Sequence, residues 1–263
     1  MVLKYFVCLL CISCMAEESF DSNNFTEFQS KLKLKHNYKS KNAVNTATAL
    51  KDFKSDSGFS RFEENDIVSL MNIYRNNTTP PAADLYSLVW SDALAKLAKK
   101  WGDRCVNEQG PDKCLNVIGQ NIYVGSGDYK DALREWYVEK KDYIYSSTAC
   151  RKQCKHYLAM VSSKTYSVGC SRSDCKRSGL KNLIVCNFYP VGVFLKVKPF
   201  QEGQACSKCA SDEENATCSH NLCVKSNIKI PEKHFLICAG FRHQNKIVII
   251  MAAIRGLIFL KSL

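Results

Sequence analysis

Twelve cysteines lie between residues 105 and 238, and this cluster constrains the fold more than any other feature of the sequence. The 263-residue chain has 15 cysteines, and the other three fall within its first 16 residues. The stretch between Ala16 and Cys105 contains none. An even, clustered set of cysteines in an exported chain predicts a framework of disulfide bonds.

The first 16 residues are typical of a signal peptide. Lys4 precedes a short apolar run, and Cys14 and Ala16 fit the small-residue positions of a cleavage site before Glu17. The run is too short to cross a bilayer comfortably. The alternative is a buried N-terminal strand. We therefore predict a secreted, extracellular protein.

Four Asn-x-Ser/Thr sequons favour the same compartment. They are acceptors for N-linked glycans in exported chains, which predicts a glycoprotein. Two of them overlap, so only one of that pair is expected to be used. The four acceptors are Asn24, Asn76, Asn77 and Asn215.

The composition predicts a packed core and a basic surface. Hydrophobic residues make up 46% and aromatic residues 11% of the chain, which excludes a disordered protein. The net charge of +12 suits anionic surfaces such as lipid head groups or acidic glycans. Nucleic acid also fits the charge, but the signals for secretion argue against a nucleic acid partner. The alternative is an ordinary solvated surface, since lysines are spread along the chain.

Apolar spacing predicts three helices and several strands after a polar extension over residues 17–60. That extension lacks periodicity and is expected to be flexible. Helices followed by strands indicate an α+β fold with helices packed on a sheet. The predicted helices are Glu63–Tyr74, a segment that starts with Ser91 as its N-cap, and Asp128–Tyr143. The predicted strands are residues 119–124, His156–Met160, Ser167–Cys170 and Leu183–Phe188.

The composition changes twice after Pro199. Residues 201–225 are small, polar and rich in cysteine, and residues 226–263 form a tail with an apolar run over 247–260. Arg255 interrupts this run, which is short for a transmembrane helix. A lipid-anchor signal is the alternative, although no clear cleavage site or polar spacer is visible. We expect a soluble form, and membrane association stays open.

Six short motifs occur in order between residues 61 and 200. They are Asn72-Ile-Tyr-Arg75, Trp90 with Ser91–Cys105, Gly119-Gln-Asn-Ile-Tyr123, Trp136-Tyr-Val-Glu139 with Asp142-Tyr143, Cys154-Lys-His-Tyr157 with Val168-Gly-Cys170, and Cys186-Asn-Phe-Tyr-Pro-Val-Gly192 with Pro199-Phe200. Each motif alone is weak evidence, but six in this order with matching gaps are specific. The chain therefore resembles the CAP superfamily of cysteine-rich secretory, antigen-5 and pathogenesis-related proteins, as a venom allergen-like or CRISP-like member.

The resemblance implies the fold and its boundaries. Residues 1–16 are the signal peptide, and residues 61–200 are expected to form the CAP/SCP domain, a three-layer α-β-α sandwich. The spacing of four cysteines after this domain resembles the small disulfide-rich hinge of cysteine-rich secretory proteins, here over residues 201–225. The C-terminal tail over residues 226–263 has no counterpart in these motifs.

The resemblance also implies four disulfide bonds. The pairing of Cys114, Cys150, Cys154 and Cys238 stays open, because sequence alone does not settle it. A zinc site in the hinge is the alternative there, but zinc needs thiolates and a secreted chain oxidises its thiols. The implied pairs are Cys105–Cys175, Cys170–Cys186, Cys206–Cys218 and Cys209–Cys223.

The cleft of metal-binding CAP proteins contains two histidines and two glutamates. Carried over to this sequence, these positions are Met71, Gln120, Glu139 and His156. A thioether and an amide replace one imidazole and one carboxylate, which leaves too few ligands for a tight divalent-cation site. We therefore expect a degenerate tetrad, no metal and no cofactor, with Glu139 and His156 as a hydrogen-bonded pair. Weak, pH-dependent metal binding is the alternative.

The sequence predicts a non-enzymatic binding protein. No nucleophile stands at a persuasive spacing from His156, and motifs such as G-x-S-x-G and H-E-x-x-H are missing from the sequence. The resemblance implies a lipid or sterol ligand, or an extracellular protein partner. Two alternatives are a channel-modulating or toxin-like protein and a weak metal-dependent protease. The first is disfavoured because only Cys238 follows Cys223, whereas a channel-blocking module carries several further cysteines.

Overall fold

The structure is a computed structural model, and it describes residues 55–192, 196–209, 217–225, 228 and 230–239. The predicted signal peptide, most of the N-terminal extension, Asn24, Asn215 and the apolar run over 247–260 lie outside these residues. Its helices are α1 (Arg61–Asn76), α2 (Asp92–Gly102), α3 (Asp112–Leu115), α4 (Tyr129–Val138), α5 (Lys155–Met160) and α6 (Glu232–Ala239). Its strands are β1 (Val89–Trp90), β2 (Gly119–Gly125), β3 (Tyr143–Ile144), β4 (Ala149–Cys150), β5 (Ser167–Asp174), β6 (Asn182–Tyr189), β7 (Thr217–Ser219) and β8 (Leu222–Val224).

A four-stranded sheet forms the middle layer of the molecule. Its strand order is β1-β5-β6-β2, with β1 parallel to β5 and the other two pairs antiparallel. Helix α2 packs on one face, and α1, α4 and α5 pack on the other. The predicted three-layer α-β-α sandwich is confirmed.

Side-chain caps fix where the helices begin. Ser60 and Glu63 form a capping box at the start of α1, and Asp128 and Asp131 form another at the start of α4. The Ser91 hydroxyl accepts from the N–H of Leu94, so Ser91 is the N-cap of α2 as predicted.

The tight packing of α2 on the sheet depends on a glycine in β5. A Cβ at Gly169 would lie 2.3 Å from the Ala95 nitrogen and 2.4 Å from the Ser91 oxygen. Any other residue here would push the helix away from the strand. The glycine of the Val168-Gly-Cys170 motif therefore has a packing role.

The largest hydrophobic cluster lies between the sheet and the helices α1, α4 and α5. Trp136, Tyr157 and Phe188 are among its fully buried side chains, and aromatic rings from neighbouring elements stack within it. Tyr74 and Tyr137, for example, stack with their ring centroids 4.1 Å apart. This face of the sheet carries most of the buried apolar surface among the described residues.

The predicted strand His156–Met160 is wrong, because these residues lie in helix α5. The Glu139 carboxylate accepts hydrogen bonds from the N–H groups of His156 and Tyr157 in the first turn of that helix. A short apolar run does not distinguish a strand from a short helix. The cap that decides between them comes from a residue 17 positions earlier in the chain.

The structure contains six disulfide bonds, and four of them are the pairs that the resemblance implies. The two pairs that sequence left open are Cys114–Cys238 and Cys150–Cys154. In the hinge, β8 hydrogen-bonds to the segment before β1, because Cys223 donates to the Leu85 carbonyl at 2.8 Å and accepts from the Ser87 N–H at 2.8 Å. The hinge is therefore attached to the sandwich by backbone pairing.

The beginning of the C-terminal tail is also part of the packed structure. Cys238 in α6 is bonded to Cys114 in α3, and the Tyr189 hydroxyl lies 2.9 Å from His234 Nδ1. Ile230 and Phe235 pack against the cluster around Leu94. Within the described residues, no helix has the length and apolar character needed to span a membrane.

Arg75, at the end of α1, is a fully buried cation that joins four segments. Its guanidinium donates to the carbonyls of Tyr86, Met160, Ser162 and Thr165 at 2.7–3.1 Å. Burial lowers the pKa of Arg75 to about 9, so the group stays charged at neutral pH. The last residue of the Asn72-Ile-Tyr-Arg75 motif thus holds the loop before β1 and the end of α5 together.

Replacing Arg75 by methionine should destabilise the protein severely. Arg75→Met keeps an apolar stem but leaves several buried carbonyls without donors, and each such acceptor costs about 1–3 kcal/mol. We expect the free energy of unfolding to fall by about 3–5 kcal/mol, measured by denaturant titration. Arg151→Met, at an exposed position, is the matched control and should leave the midpoint nearly unchanged. Equal midpoints for the two variants would contradict a structural role for Arg75.

Candidate functional site

Glu139 and His156 form a hydrogen-bonded pair at the junction of α4 and α5. Glu139 is the first residue of the 3-10 turn Glu139–Asp142 that follows α4. Its Oε1 lies 2.7 Å from His156 Nδ1, and its Oε2 accepts from the N–H groups of His156 at 2.9 Å and Tyr157 at 3.1 Å. Both carboxylate oxygens are therefore engaged.

The pair is only partly open to solvent. The side chains of His156 and Glu139 are 20% and 14% exposed. With a carboxylate at 2.7 Å, Nδ1 carries the ring proton, and this tautomer leaves the lone pair of Nε2 available. The amide nitrogen of Gln153 lies 3.0 Å from the same Nδ1 atom, but this nitrogen is a donor and would need an unprotonated Nδ1, whereas the shorter contact with the charged carboxylate favours the protonated one.

The other two positions of the carried-over tetrad lie elsewhere. The Gln120 side chain exchanges two hydrogen bonds with the Gly110 backbone and donates to Asn187 Oδ1 at 3.0 Å. It faces the α2 side of the sheet, with its strand neighbours Ile122 and Val124. Met71 is fully buried in the hydrophobic cluster on the opposite side. The structure thus brings together Glu139 and His156 but does not bring all four positions into one cluster.

Asn121 is the strand residue that contacts the pair, and motif matching missed it. Its side-chain amide donates to the His156 carbonyl at 3.0 Å. A signal was present in the sequence, because side chains alternate between the two faces of a strand. Since Gln120 shares a face with Ile122, Asn121 must share the other face with Tyr123.

The residues present do not fit a divalent cation. Such a site needs three or four converging N, O or S ligands. Here one imidazole nitrogen is available, while both Glu139 oxygens already accept hydrogen bonds and the Gln120 side chain points to the other face. The sulfurs of Cys206, Cys209 and Cys223 lie within 4.8 Å of one another, but all three belong to disulfide bonds and offer no thiolate.

A groove runs along the exposed side of α4, next to the Glu139 end of that helix. Its volume is ≈ 440 Å³. Apolar contact surface comes from Tyr123 and from Val138, which is 40% exposed, and charge comes from helix residues of both signs. The lining residues are Tyr123, Gly127, Asp131, Arg134, Glu135 and Val138.

A second concavity of ≈ 460 Å³ lies where the sandwich meets the hinge. Tyr145 and Phe200 stack at 5.1 Å in its wall, and the Lys198 ammonium lies 4.6 Å from the Tyr145 ring centroid. These contacts occupy the ring faces, so the walls present mainly charged groups to a ligand. Glu139 and His156 do not line it.

The His156 environment offers little for nucleophilic catalysis. A catalytic base needs a nucleophile within hydrogen-bond reach. Ser162 and Ser163 follow the far end of α5, where the Ser162 carbonyl accepts from Arg75 and the Ser163 N–H donates to Pro199. Among the described residues, the side-chain contacts of Glu139 and His156 cap a helix and position an imidazole, and none of them joins His156 to a hydroxyl.

Removing the Glu139 carboxylate should destabilise α5 and change the tautomer of His156. Glu139→Ala leaves two first-turn N–H groups without acceptors, so we expect a loss of about 1–3 kcal/mol in the free energy of unfolding. Nitrogen-resolved NMR of His156 should show Nδ1–H in the unmodified protein and a shift towards Nε2–H in the variant. Glu135→Ala, one turn earlier on the exposed side of α4, is the control. An unchanged tautomer in Glu139→Ala would rule out the assigned hydrogen bond.

Residues 68–188 match the family described as "CAP: Cysteine-rich secretory protein family". GLIPR1-like protein 1 of Mus musculus is 35% identical over 176 residues, which cover 62% of this chain and 73% of the relative. Peptidase inhibitor 15 of Xenopus laevis is 33% identical over 178 residues, which cover 60% of this chain and 69% of that relative.

Solved structures agree at the level of fold. BmVAL-1 superposes with a TM-score of 0.55 at 24% identity, covering 64% of this chain and 96% of that one. The structure of NaASP2 with Zn²⁺ gives a TM-score of 0.55 at 21% identity, and the match covers 65% of this chain and 100% of that one. The fold is thus shared with these structures, and the matched family together with the relatives that are 33–35% identical establishes that the chain belongs to the CAP family of cysteine-rich secretory proteins.

Proposed function

We propose that this protein is a secreted, non-enzymatic CAP-domain binding protein that engages an extracellular protein partner, or a lipid or sterol ligand. One observation carries the proposal: both oxygens of Glu139 are consumed by His156 and by the first turn of α5. Oε2 accepts two N–H groups and Oε1 faces the imidazole, so the carboxylate is largely committed to the helix cap and to His156, which disfavours a role as metal ligand or general base. The pair is therefore better suited to shaping the surface than to catalysis.

The groove along α4 is the binding surface that the geometry favours. Tyr123 and Val138 offer apolar contact in its lining, and Asp131, Arg134 and Glu135 add charge of both signs. A sterol presents a mostly apolar body, whereas a protein surface presents mixed polar and apolar groups. An extracellular protein partner therefore fits this groove better than a sterol does.

Membership in the family supports binding rather than cleavage. Several relatives are named peptidase inhibitors, which are proteins that bind another protein without processing it. Cys238 bonds back to Cys114 in the sandwich, so it does not supply the separate cysteine-rich module that a channel-blocking protein would need. Secretion rests on the N-terminal signal and the cysteine framework in the sequence.

A pair of matched variants tests the groove. Val138→Asp places a charge on an apolar part of its lining, and Val89→Asp places the same charge at a valine of nearly equal exposure (39% against 40%) outside the groove. Crosslinking of the natively secreted protein, followed by identification of the bound species, should recover a protein partner. Capture should fall about 5- to 30-fold with Val138→Asp, because an interface contact of this kind is worth about 1–2 kcal/mol, and should persist with Val89→Asp.

Three results would contradict a role as an extracellular binder of a protein partner. Recovery of a sterol or phospholipid by extraction, with no protein crosslinked, would show that the ligand is a lipid and not a protein. Chelator-sensitive cleavage of casein that His156→Ala abolishes would show an enzyme instead of a binding protein. Retention of the chain inside the cell would exclude the extracellular role altogether.

Within the overlapping sequons, we expect the glycan at Asn76. Asn77 is the C-cap of α1, its side-chain nitrogen donates to the Tyr137 hydroxyl at 3.0 Å, and its carbonyl accepts from Tyr137 and from Lys140. Asn76 is exposed at the end of the helix. Asn76→Gln should remove one glycan from the secreted protein, as measured by intact mass, whereas Asn77→Gln should retain it because Thr78 still completes the first sequon. The opposite pattern would assign the glycan to Asn77.

A further inference from the structure

We propose that the protein binds a sulfated polysaccharide through a cluster of exposed cations at the C-terminal end of α2. We call this cluster the basic patch. This partner class presupposes the extracellular role proposed above, but it uses a surface distinct from the groove along α4. The basic patch consists of Lys100, Arg104, Lys176, Arg177 and Lys181, all exposed.

Two distant stretches of the chain build the basic patch. The disulfide Cys105–Cys175 joins the end of α2 to the end of β5, with Cα atoms 5.4 Å apart. Beside it, the Ser173 hydroxyl donates to Asp103 Oδ1 at 2.8 Å. The cations on the last turn of α2 therefore lie next to those on the turn between β5 and β6, although 70 residues separate the two cysteines.

The positive charge in this region exceeds the negative charge. Asp103 is engaged by Lys99 and Ser173, and Asp174 is engaged by Lys176. Within the described part of the chain, the side chains of Arg177 and Lys181 make no hydrogen bond or ion pair. Like charges held close together repel one another, and a bound polyanion would relieve that repulsion.

The chemistry of the basic patch suits sulfate groups. Arg104 lies over the Trp101 ring, with its guanidinium carbon 4.3 Å from the ring centroid, so the planar group is held in place. A guanidinium pairs with tetrahedral oxyanions through two parallel hydrogen bonds, and lysine adds point charge. Several such cations within one small area match the repeated charges of a linear sulfated chain.

An anionic membrane fits this surface less well. Protein surfaces that lie on membranes combine cations with large apolar side chains that enter the lipid. The exposed large hydrophobic residues in the described regions are Phe62, Val89, Val138, Val197 and Ile237, and none belongs to the basic patch. Because this surface is charged without being apolar, the occupant we propose is a soluble polyanion.

Binding to immobilised heparin tests the proposal with the full secreted protein. Arg177→Ala combined with Lys181→Ala removes two of the five charges at positions without side-chain partners, so the fold should persist. Polyanion affinity falls with salt in proportion to the number of ion contacts, so the slope of log Kd against log salt should decrease by about two fifths. Lys152→Ala combined with Lys164→Ala removes equal charge from exposed positions elsewhere and should leave the slope unchanged.

Four outcomes would overturn the proposal. Equal losses in the two double variants would show a response to net charge and not to the basic patch. Equal affinity for hyaluronan, which carries carboxylates only, would exclude sulfate recognition. Binding to phosphatidylserine vesicles but not to heparin would assign the surface to membranes. In the fourth outcome, the secreted protein shows no binding to heparin while Val138→Asp still abolishes capture of its protein partner. That result would refute this inference alone and leave the proposed function intact.

Discussion

The guanidinium of Arg75 is the interaction on which the packing of the helical face depends. A buried charge is normally unfavourable, and here four backbone carbonyls compensate it without a directly paired carboxylate. Burial is the main cause of its lowered pKa, and the nearby charge of Asp84 acts in the opposite direction. Because its acceptors come from the loop before β1 and from both sides of the turn after α5, one side chain fixes the relative positions of α1, α5 and β5.

Helix α5 is held by charges at both of its ends. Arg75 donates to the Met160 carbonyl at its C-terminus, and Glu139 accepts from the N–H groups of its first turn. Each charge has the sign that the helix dipole favours. A helix of six residues is too short to be stable alone, so these two contacts and its burial determine that it forms. The Glu139–His156 pair is therefore explained by the fold itself, without reference to catalysis.

Sequence predicted those parts of the structure whose causes are local. Ser91 as an N-cap and the apolar faces of the first helices act within a few residues, and these elements appear where expected. Helix α5 was mistaken for a strand because its cap, Glu139, lies in a different element. The face on which Gln120 lies depends on strand alternation, which motif matching ignores. The bond between Cys114 and Cys238 spans 124 residues, and nothing local to either cysteine selects its partner.

The two faces of the sheet are stabilised by different means, and this difference separates the candidate binding surfaces. On the α2 side, the long-range disulfides Cys105–Cys175 and Cys114–Cys238 fix the end of the helix and the segments beside it. On the α5 side, the disulfides Cys150–Cys154 and Cys170–Cys186 span only four and 16 positions, and the charges of Arg75 and Glu139 add hydrogen bonds at both ends of α5. The basic patch therefore depends on a covalent link between distant stretches of the chain, whereas the position of α5 depends mainly on hydrogen bonds to two charged side chains.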